Sequence, residues 1–244
     1  MSEAVNNDLA NRPFDPRVIC ALDVPTAGDA RALVERIGDA VGFYKVGLQL
    51  FASDGMALAR ELKASGAQIF LDWKLHDIGA TVEKATAVLA GSGCDLLTVH
   101  ARPQVMAAAA RGAAGSDLKI LGVTVLTSLT DDDLMADDHS LSAADLVELR
   151  VRQALEAGIH GVVSSPHEAA RVREIAEEAG RSDFLIVTPG VRPAGAALDD
   201  QARAATPSTA LKSGATHLVV GRPITASANP REAAQAITRE IALV

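Results

Sequence analysis

The chain predicts one (β/α)8 barrel, and three observations carry that expectation. Eight short apolar runs alternate with stretches of helix length whose apolar residues recur near every 3.6 positions. Strands alternating with helices build a parallel sheet, and eight such units suggest closure into a barrel. The length of 244 residues matches a single barrel domain of about 250, and no shift in composition marks a second domain. The expected division is a polar N-terminal arm at 1–17 and the barrel at 18–244.

The elements follow in order. Residues 18–22 are an unbroken apolar run, as expected of a strand covered on both faces. A helix over 27–37 stops at Gly38, and 44–47 forms the second strand. A helix over 55–64 precedes Gly66, and the third strand is read at 69–73. The helix over 81–90 ends before Gly91 and leads to strand four at 96–100. Strand five, 120–124, runs into a long loop at 127–141. That loop carries Asp131, Asp132, Asp133, Asp137 and Asp138, and is expected to be a solvated excursion. A helix over 143–157 ends before Gly158, with strand six at 161–163. The helix over 166–179 ends before Gly180, with strand seven at 185–187. A second long loop, 190–205, is rich in Gly, Pro and Arg and precedes strand eight at 217–220. The glycines at helix ends fit C-terminal caps, where left-handed backbone is needed. Both long loops follow strands on the side where barrels keep their functional loops.

Composition narrows the function classes. Apolar residues make up 48% and aromatic residues only 3%, so the core is aliphatic and rich in alanine. A net charge of −8 argues against a nucleic-acid or anionic-membrane surface. Any anionic ligand must be met by a local cluster of cations and backbone N–H groups. Cys20 and Cys94 lie in or beside apolar runs and read as buried, reduced thiols. Residues 1–17 are polar, with no apolar core of a secretory signal, and no run approaches the ~20 residues of a membrane span. A cytoplasmic protein is expected.

The densest chemistry lies in Ile69-Phe70-Leu71-Asp72-Trp73-Lys74-Leu75-His76-Asp77-Ile78. A buried strand should not hold charges unless they pair or act. Asp72 and Lys74 are two residues apart, so regular alternation would point them to one side of the strand. Polar residues also end other strands: Asp23 the first, Lys45 in the second, His100 the fourth, Thr127 and Ser128 after the fifth, Arg192 and Arg222 after the last two. In a barrel these ends converge on one pocket. Alternating charges at Lys45, Asp72 and Lys74 would keep both amines protonated. A protonated amine beside a carboxylate can stabilise a carbanion and then protonate it, while the carboxylate repels a leaving anionic group, so the set suits decarboxylation; a structural ion-pair network is the plain alternative. Asp77, in the turn before the next helix, would either cap that helix or reach a neighbouring subunit. His76 and His100 read as packing or hydrogen-bonding residues. Val219-Val220-Gly221-Arg222-Pro223 suits phosphate, because glycine admits backbone N–H groups and arginine offers a planar fork. Gly190-Val191-Arg192-Pro193 and Gln201 would close over the same anion.

At these residues the chain resembles the orotidine 5′-phosphate decarboxylases, over roughly 18–240. The matching segments are Ala21-Leu22-Asp23, Lys45-Val46-Gly47, the stretch from Phe70 to Ile78, Thr124-Val125-Leu126-Thr127-Ser128, Val187-Thr188-Pro189-Gly190-Val191-Arg192-Pro193 and Val220-Gly221-Arg222-Pro223. The resemblance implies conversion of orotidine 5′-phosphate to UMP and CO2 with neither metal nor cofactor. It implies Lys74 as proton donor to C6, Asp72 against the leaving carboxylate, and Lys45 and Asp23 on the ribose and the charge network. It implies a homodimer in which Asp77 and Thr81 enter the partner's site. Thr127 would address the pyrimidine, and Pro189, Arg192, Gln201, Gly221 and Arg222 would form the substrate and phosphate contacts. Two departures stand out. Trp73 replaces the usual Leu or Phe before the lysine and should face away from it, and Gly79-Ala80 replaces a common Pro-Asn, which bears on the placement of Thr81. Two rivals remain: a Mg²⁺-dependent hexulose-phosphate synthase or ketogulonate-phosphate decarboxylase, with a carboxylate in place of Lys45, and a non-catalytic nucleotide-binding barrel.

Overall fold

The structure is a computed structural model that describes residues 14–193, 205–242 and 244. Eight parallel strands close in sequence order: β1 (Val18–Ala21), β2 (Phe43–Gly47), β3 (Gln68–Leu75), β4 (Leu96–His100), β5 (Lys119–Val123), β6 (Gly161–Val163), β7 (Leu185–Thr188) and β8 (His217–Val220). Closure is made by β8 against β1, with Cys20 opposite Val220. The helices are α1 (Ala27–Ile37), α2 (Leu48–Phe51), α3 (Gly55–Ala64), α4 (Gly79–Ala90), α5 (Pro103–Gly112), α6 (Asp131–Ala136), α7 (Ala143–Glu156), α8 (Ala169–Glu178), α9 (Pro207–Lys212), α10 (Arg222–Thr225) and α11 (Pro230–Ile241). No described helix is long and apolar enough to cross a membrane.

Strand parity divides the core in two. Ile19, Ala21, Phe43, Phe70, Leu96, Leu121, Val187 and Val219 form one cluster inside the barrel. Their strand neighbours Val18, Cys20, Tyr44, Ile69, Leu71, Leu97, Ile120, Val162, Ile186 and Leu218 join the larger cluster between barrel and helices. Each strand is covered on both sides, which is why its sequence reads as an unbroken apolar run.

Local chemistry sets the helix ends. Thr26 starts α1 by accepting the Asp29 N–H at 3.0 Å, and Ala30, Leu33 and Ile37 form its buried stripe. Gly38 ends it at φ +59. Ser142 starts α7 in the same way, accepting the Asp145 N–H at 3.1 Å. Gly158 and Gly180 also take left-handed backbone after their helices. Gly91 departs from expectation: it caps α4 with φ −72, and Gly93 makes the left-handed turn instead.

The expected strands stand, with ends moved by at most two residues; β3 gains most, running on to Leu75. The last expected helix begins at Ala169 rather than at 166. The acidic loop is not a bare excursion. Thr130 and Asp133 form a reciprocal capping box that opens α6, and Leu134 packs on Ala143 and Leu146. Both cysteines are buried and free.

Candidate active site

The barrel's inner rows set the site. Above Ala21, Phe43, Phe70 and Val219, the next inward positions are Asp23, Lys45, Asp72 and Gly221, at the C-terminal ends of their strands. They open into a cavity of about 500 Å³. Its floor and flank are apolar: Ala21, Phe70, Val123, Val125, Val163 and Val219. The rest of its lining includes the polar Thr127, Arg192, Arg222 and Thr225, with Pro189 beside them.

Charges alternate along one side. Lys45 Nζ lies 2.8 Å from Asp23 Oδ1 and 3.6 Å from Asp72 Oδ2, and Lys74 Nζ lies 2.8 Å from Asp72 Oδ1. Lys45 is buried, while the Asp23 side chain is 56% exposed. Burial opposes ionisation of Asp72 most strongly. The positive charges of Lys45 and Lys74, with hydrogen bonds from Lys74 and Thr98, outweigh it and hold the carboxyl below its ordinary value. The arrangement is a desolvated carboxylate between two amines.

Lys74 does not reach Asp72 by regular alternation, as the sequence suggested. Its φ is +50, and the pairing of β3 with β4 shifts register between Leu71 and Leu75. A bulge re-aims a side chain in this way. Trp73 does face away from the cavity, packed on the helix side with its ring 4.5 Å from that of Phe51.

Of the expected site residues, Asp23, Lys45, Asp72, Lys74, Thr127, Pro189, Arg192, Gly221 and Arg222 meet at this cavity. Asp77 and Thr81 are exposed and do not line it. Asp77 is not the helix cap either. Ile78 holds that position, and Asp77 Oδ1 accepts only the adjacent Ile78 N–H at 2.6 Å. Gln201 lies outside the described residues. His76 and His100 do not line the cavity; their ring centroids are 4.9 Å apart. Desolvation, then the neighbouring His76, Arg150, Lys74 and Arg102, push His100 below its ordinary value.

Sequence reasoning missed Thr98. Its hydroxyl accepts the Lys74 N–H at 3.0 Å and donates to Asp72 Oδ1 at 3.0 Å. The available signal was parity: Thr98 is the polar residue two places after inward-facing Leu96 in an apolar strand. Among the described residues, no three His, Cys, Asp or Glu side chains gather closely enough to hold a metal ion.

Residues 16–237 match the family described as orotidine 5′-phosphate decarboxylase / HUMPS. The chain belongs to that family. It is 68% identical over 228 residues to the orotidine 5′-phosphate decarboxylase of Caulobacter vibrioides, covering 93% of this chain and 98% of that one. Identity to the same enzyme from Cereibacter sphaeroides is 54% over 231 residues, covering 93% and 97%. The crystal structure of orotidine 5′-phosphate decarboxylase from Lactobacillus acidophilus superposes with a TM-score of 0.80 at 36% identity, covering 93% of this chain and 99% of the other. That from Pyrococcus horikoshii gives 0.73 at 27% identity, covering 93% and 100%. These decarboxylases share the closed parallel barrel seen here.

Proposed function

We infer that this protein decarboxylates orotidine 5′-phosphate to UMP and CO2 without a metal ion, a step of pyrimidine nucleotide synthesis. The observation that carries the reading is the unbroken charge sequence Asp23–Lys45–Asp72–Lys74 along one wall of a nucleotide-sized cavity. The Mg²⁺-dependent branch would need a carboxylate where Lys45 stands, and an ammonium there repels a divalent cation.

The roles that the family resemblance implies are compatible with this geometry. Asp72, ionised and desolvated, meets the substrate carboxylate with like charge. That repulsion raises the ground state and disappears as CO2 leaves neutral. The C6–carboxylate bond breaks and its electron pair stays on C6. Lys74 Nζ faces the developing charge, stabilises it in a low-dielectric pocket and transfers its proton to C6. The amine regains a proton from solvent after product leaves. Lys45 bridges Asp72 and Asp23, whose exposed oxygen is suited to a ribose hydroxyl. Thr127 is suited to the polar edge of the pyrimidine. Gly221, Arg192 and Arg222 supply an open backbone approach and two guanidinium groups for the phosphate, beside Pro189. Gln201 is assigned to the same anion. The catalytic domain is proposed to span 18–244.

Asp77 and Thr81 act in the site of a second copy. Asp77 is followed by Ile78, which is 70% exposed, with Leu48 and Phe51 also exposed. His100, whose ring lies 4.9 Å from that of His76, has cationic neighbours in Arg150, Lys74 and Arg102. An exposed carboxylate next to an exposed apolar residue suits a two-fold interface in which each copy gives and receives the same contact.

The deciding assay measures UMP formation by purified protein after treatment with EDTA. Full activity is expected, and Lys74→Ala should lower kcat by at least about a thousandfold while the fold persists. Activity that disappears with chelation and returns with Mg²⁺ would move the protein to the metal-dependent branch.

A further inference from the structure

The catalytic lysine is held in an unusual backbone, and one side chain outside the charge sequence holds it there. Strand β3 pairs with β4 in register through Leu71 opposite Leu97, then resumes at Leu75 opposite Val99. Asp72, Trp73 and Lys74 therefore share Thr98 as the single residue between those two pairings. Lys74 takes φ +50, a region sparsely populated by residues other than glycine.

Thr98 is fully buried. Its hydroxyl has one proton, and its two neighbours dictate the direction of both bonds. The Lys74 N–H can only donate, so the oxygen accepts from it at 3.0 Å. The Asp72 carboxylate can only accept, so the proton goes to Oδ1 at 3.0 Å. The same Oδ1 accepts from Lys74 Nζ at 2.8 Å. A closed ring of hydrogen bonds thus runs from the Lys74 backbone through Thr98 and Asp72 to the Lys74 ammonium. The backbone N–H displaced from the β-ladder by the bulge is satisfied by a side chain that also orients the carboxylate.

We propose that Thr98 is a positioning residue for the decarboxylation. Through that ring it fixes the left-handed turn at Lys74 and the rotamer of Asp72, so the proton donor and the repelling carboxylate share one geometry. Valine at this position has nearly the same shape but cannot accept the N–H or donate to the carboxylate. The bulge then loses its anchor, and Lys74 Nζ loses its fixed approach to C6. The phosphate and pyrimidine ends of the cavity, built on other strands, are untouched.

The proposal rests on the decarboxylase reading, and the experiment separates the two. Thr98→Val should lower kcat about 10- to 100-fold with KM within about threefold of wild type. UMP, which lacks the reacting carboxylate, should bind with unchanged affinity, and Thr98→Ser, which restores the hydroxyl, should recover most of kcat. Wild-type protein that forms no UMP overturns the decarboxylase reading itself. An active wild type with an equally active Thr98→Val overturns only the positioning role. So does a Thr98→Val that loses UMP affinity and kcat in parallel, unrescued by serine, because that is the signature of a disturbed wall. If Thr98→Val does not fold, Thr98→Ala and Thr98→Ser differ by the hydroxyl alone, and equal kcat in that pair refutes the role.

Discussion

Asp72 is ionised in surroundings that disfavour charge, and two amines are the reason. Its buried position raises the free energy of the carboxylate, and Lys45 and Lys74, together with the Thr98 hydrogen bond, more than offset that. Removing either amine leaves a desolvated anion short of a partner, which is worse than having no charge at all. The network has little room. A Cβ on Gly47 would lie 2.9 Å from Asp23 Oδ1 and 3.0 Å from Lys45 Nζ. Both atoms are tips of flexible side chains, so they can move without disturbing the barrel. Gly47→Ala should therefore reduce kcat/KM by about tenfold or more, while thermal unfolding shifts by no more than about 2 °C. Steady-state kinetics and a melting curve decide it; a large loss of stability would mean that Gly47 serves the fold and not the charge pair.

Among the elements, strand and helix ends repeat a few devices. At the base of the barrel, Asp95 Oδ2 accepts the Ile69 N–H at 2.7 Å, His160 Nδ1 the Ile120 N–H at 3.1 Å, and Thr216 Oγ1 the Ile186 N–H at 2.9 Å. Each acceptor precedes one strand and holds the start of its neighbour. The acidic loop has a comparable role. Asp133 completes the box at the start of α6, and Asp131 Oδ1 accepts the Ala143 N–H at 2.8 Å at the start of α7. Carboxylates there meet the positive end of a helix. His217, at the start of β8, shows how such an element responds to pH. Desolvation, and then Lys119, push its imidazole down to about 4; Asp15 opposes and Arg17 assists. Its Nδ1 lies 2.9 Å from Thr216 Oγ1, and its ring meets Phe43 edge-on. In the unfolded chain a histidine titrates near ~6.5, so between there and about 4 the unfolded state binds the extra proton. Stability should fall as pH drops through that window, by on the order of 3 kcal/mol, and His217 should contribute no further loss below it. Denaturant unfolding across the window should show a shallower slope for His217→Asn than for wild type; identical slopes would place the pH dependence elsewhere.

At the scale of the whole molecule, the third carboxylate, Asp77, is proposed to act between two copies. Asp77 follows the strand that carries Asp72 and Lys74, yet its side chain turns to its own backbone and not to the cavity. A second copy supplies it in the proposed assembly. Mixing Lys74→Ala and Asp77→Asn proteins under conditions that exchange subunits tests this directly. Each hybrid dimer would hold one site with both native residues. Roughly a quarter of wild-type activity should return, since about half of randomly paired dimers are hybrids and each has one intact site of two. No recovery would place Asp77 in its own chain's chemistry or outside chemistry altogether.

Eight apolar runs and their spacing sufficed to announce the barrel, because a strand buried on both sides must be apolar throughout and a covering helix must repeat near 3.6 residues. The charge set was equally legible, since lysine and aspartate in such a run demand an explanation. Short elements such as α6, α9 and α10 were not, being too brief to show a period. The meeting of Asp72 with Lys74 was expected for the wrong reason: alternation suggested it, whereas a bulge against β4 and a left-handed lysine bring it about. Thr98 escaped notice because its partners lie on another strand, and a threonine in a strand is ordinary until its neighbours are known. Sequence carries what depends on a residue's own periodicity and polarity. Contacts across strands, and the backbone twist they impose, exist only once the sheet has closed.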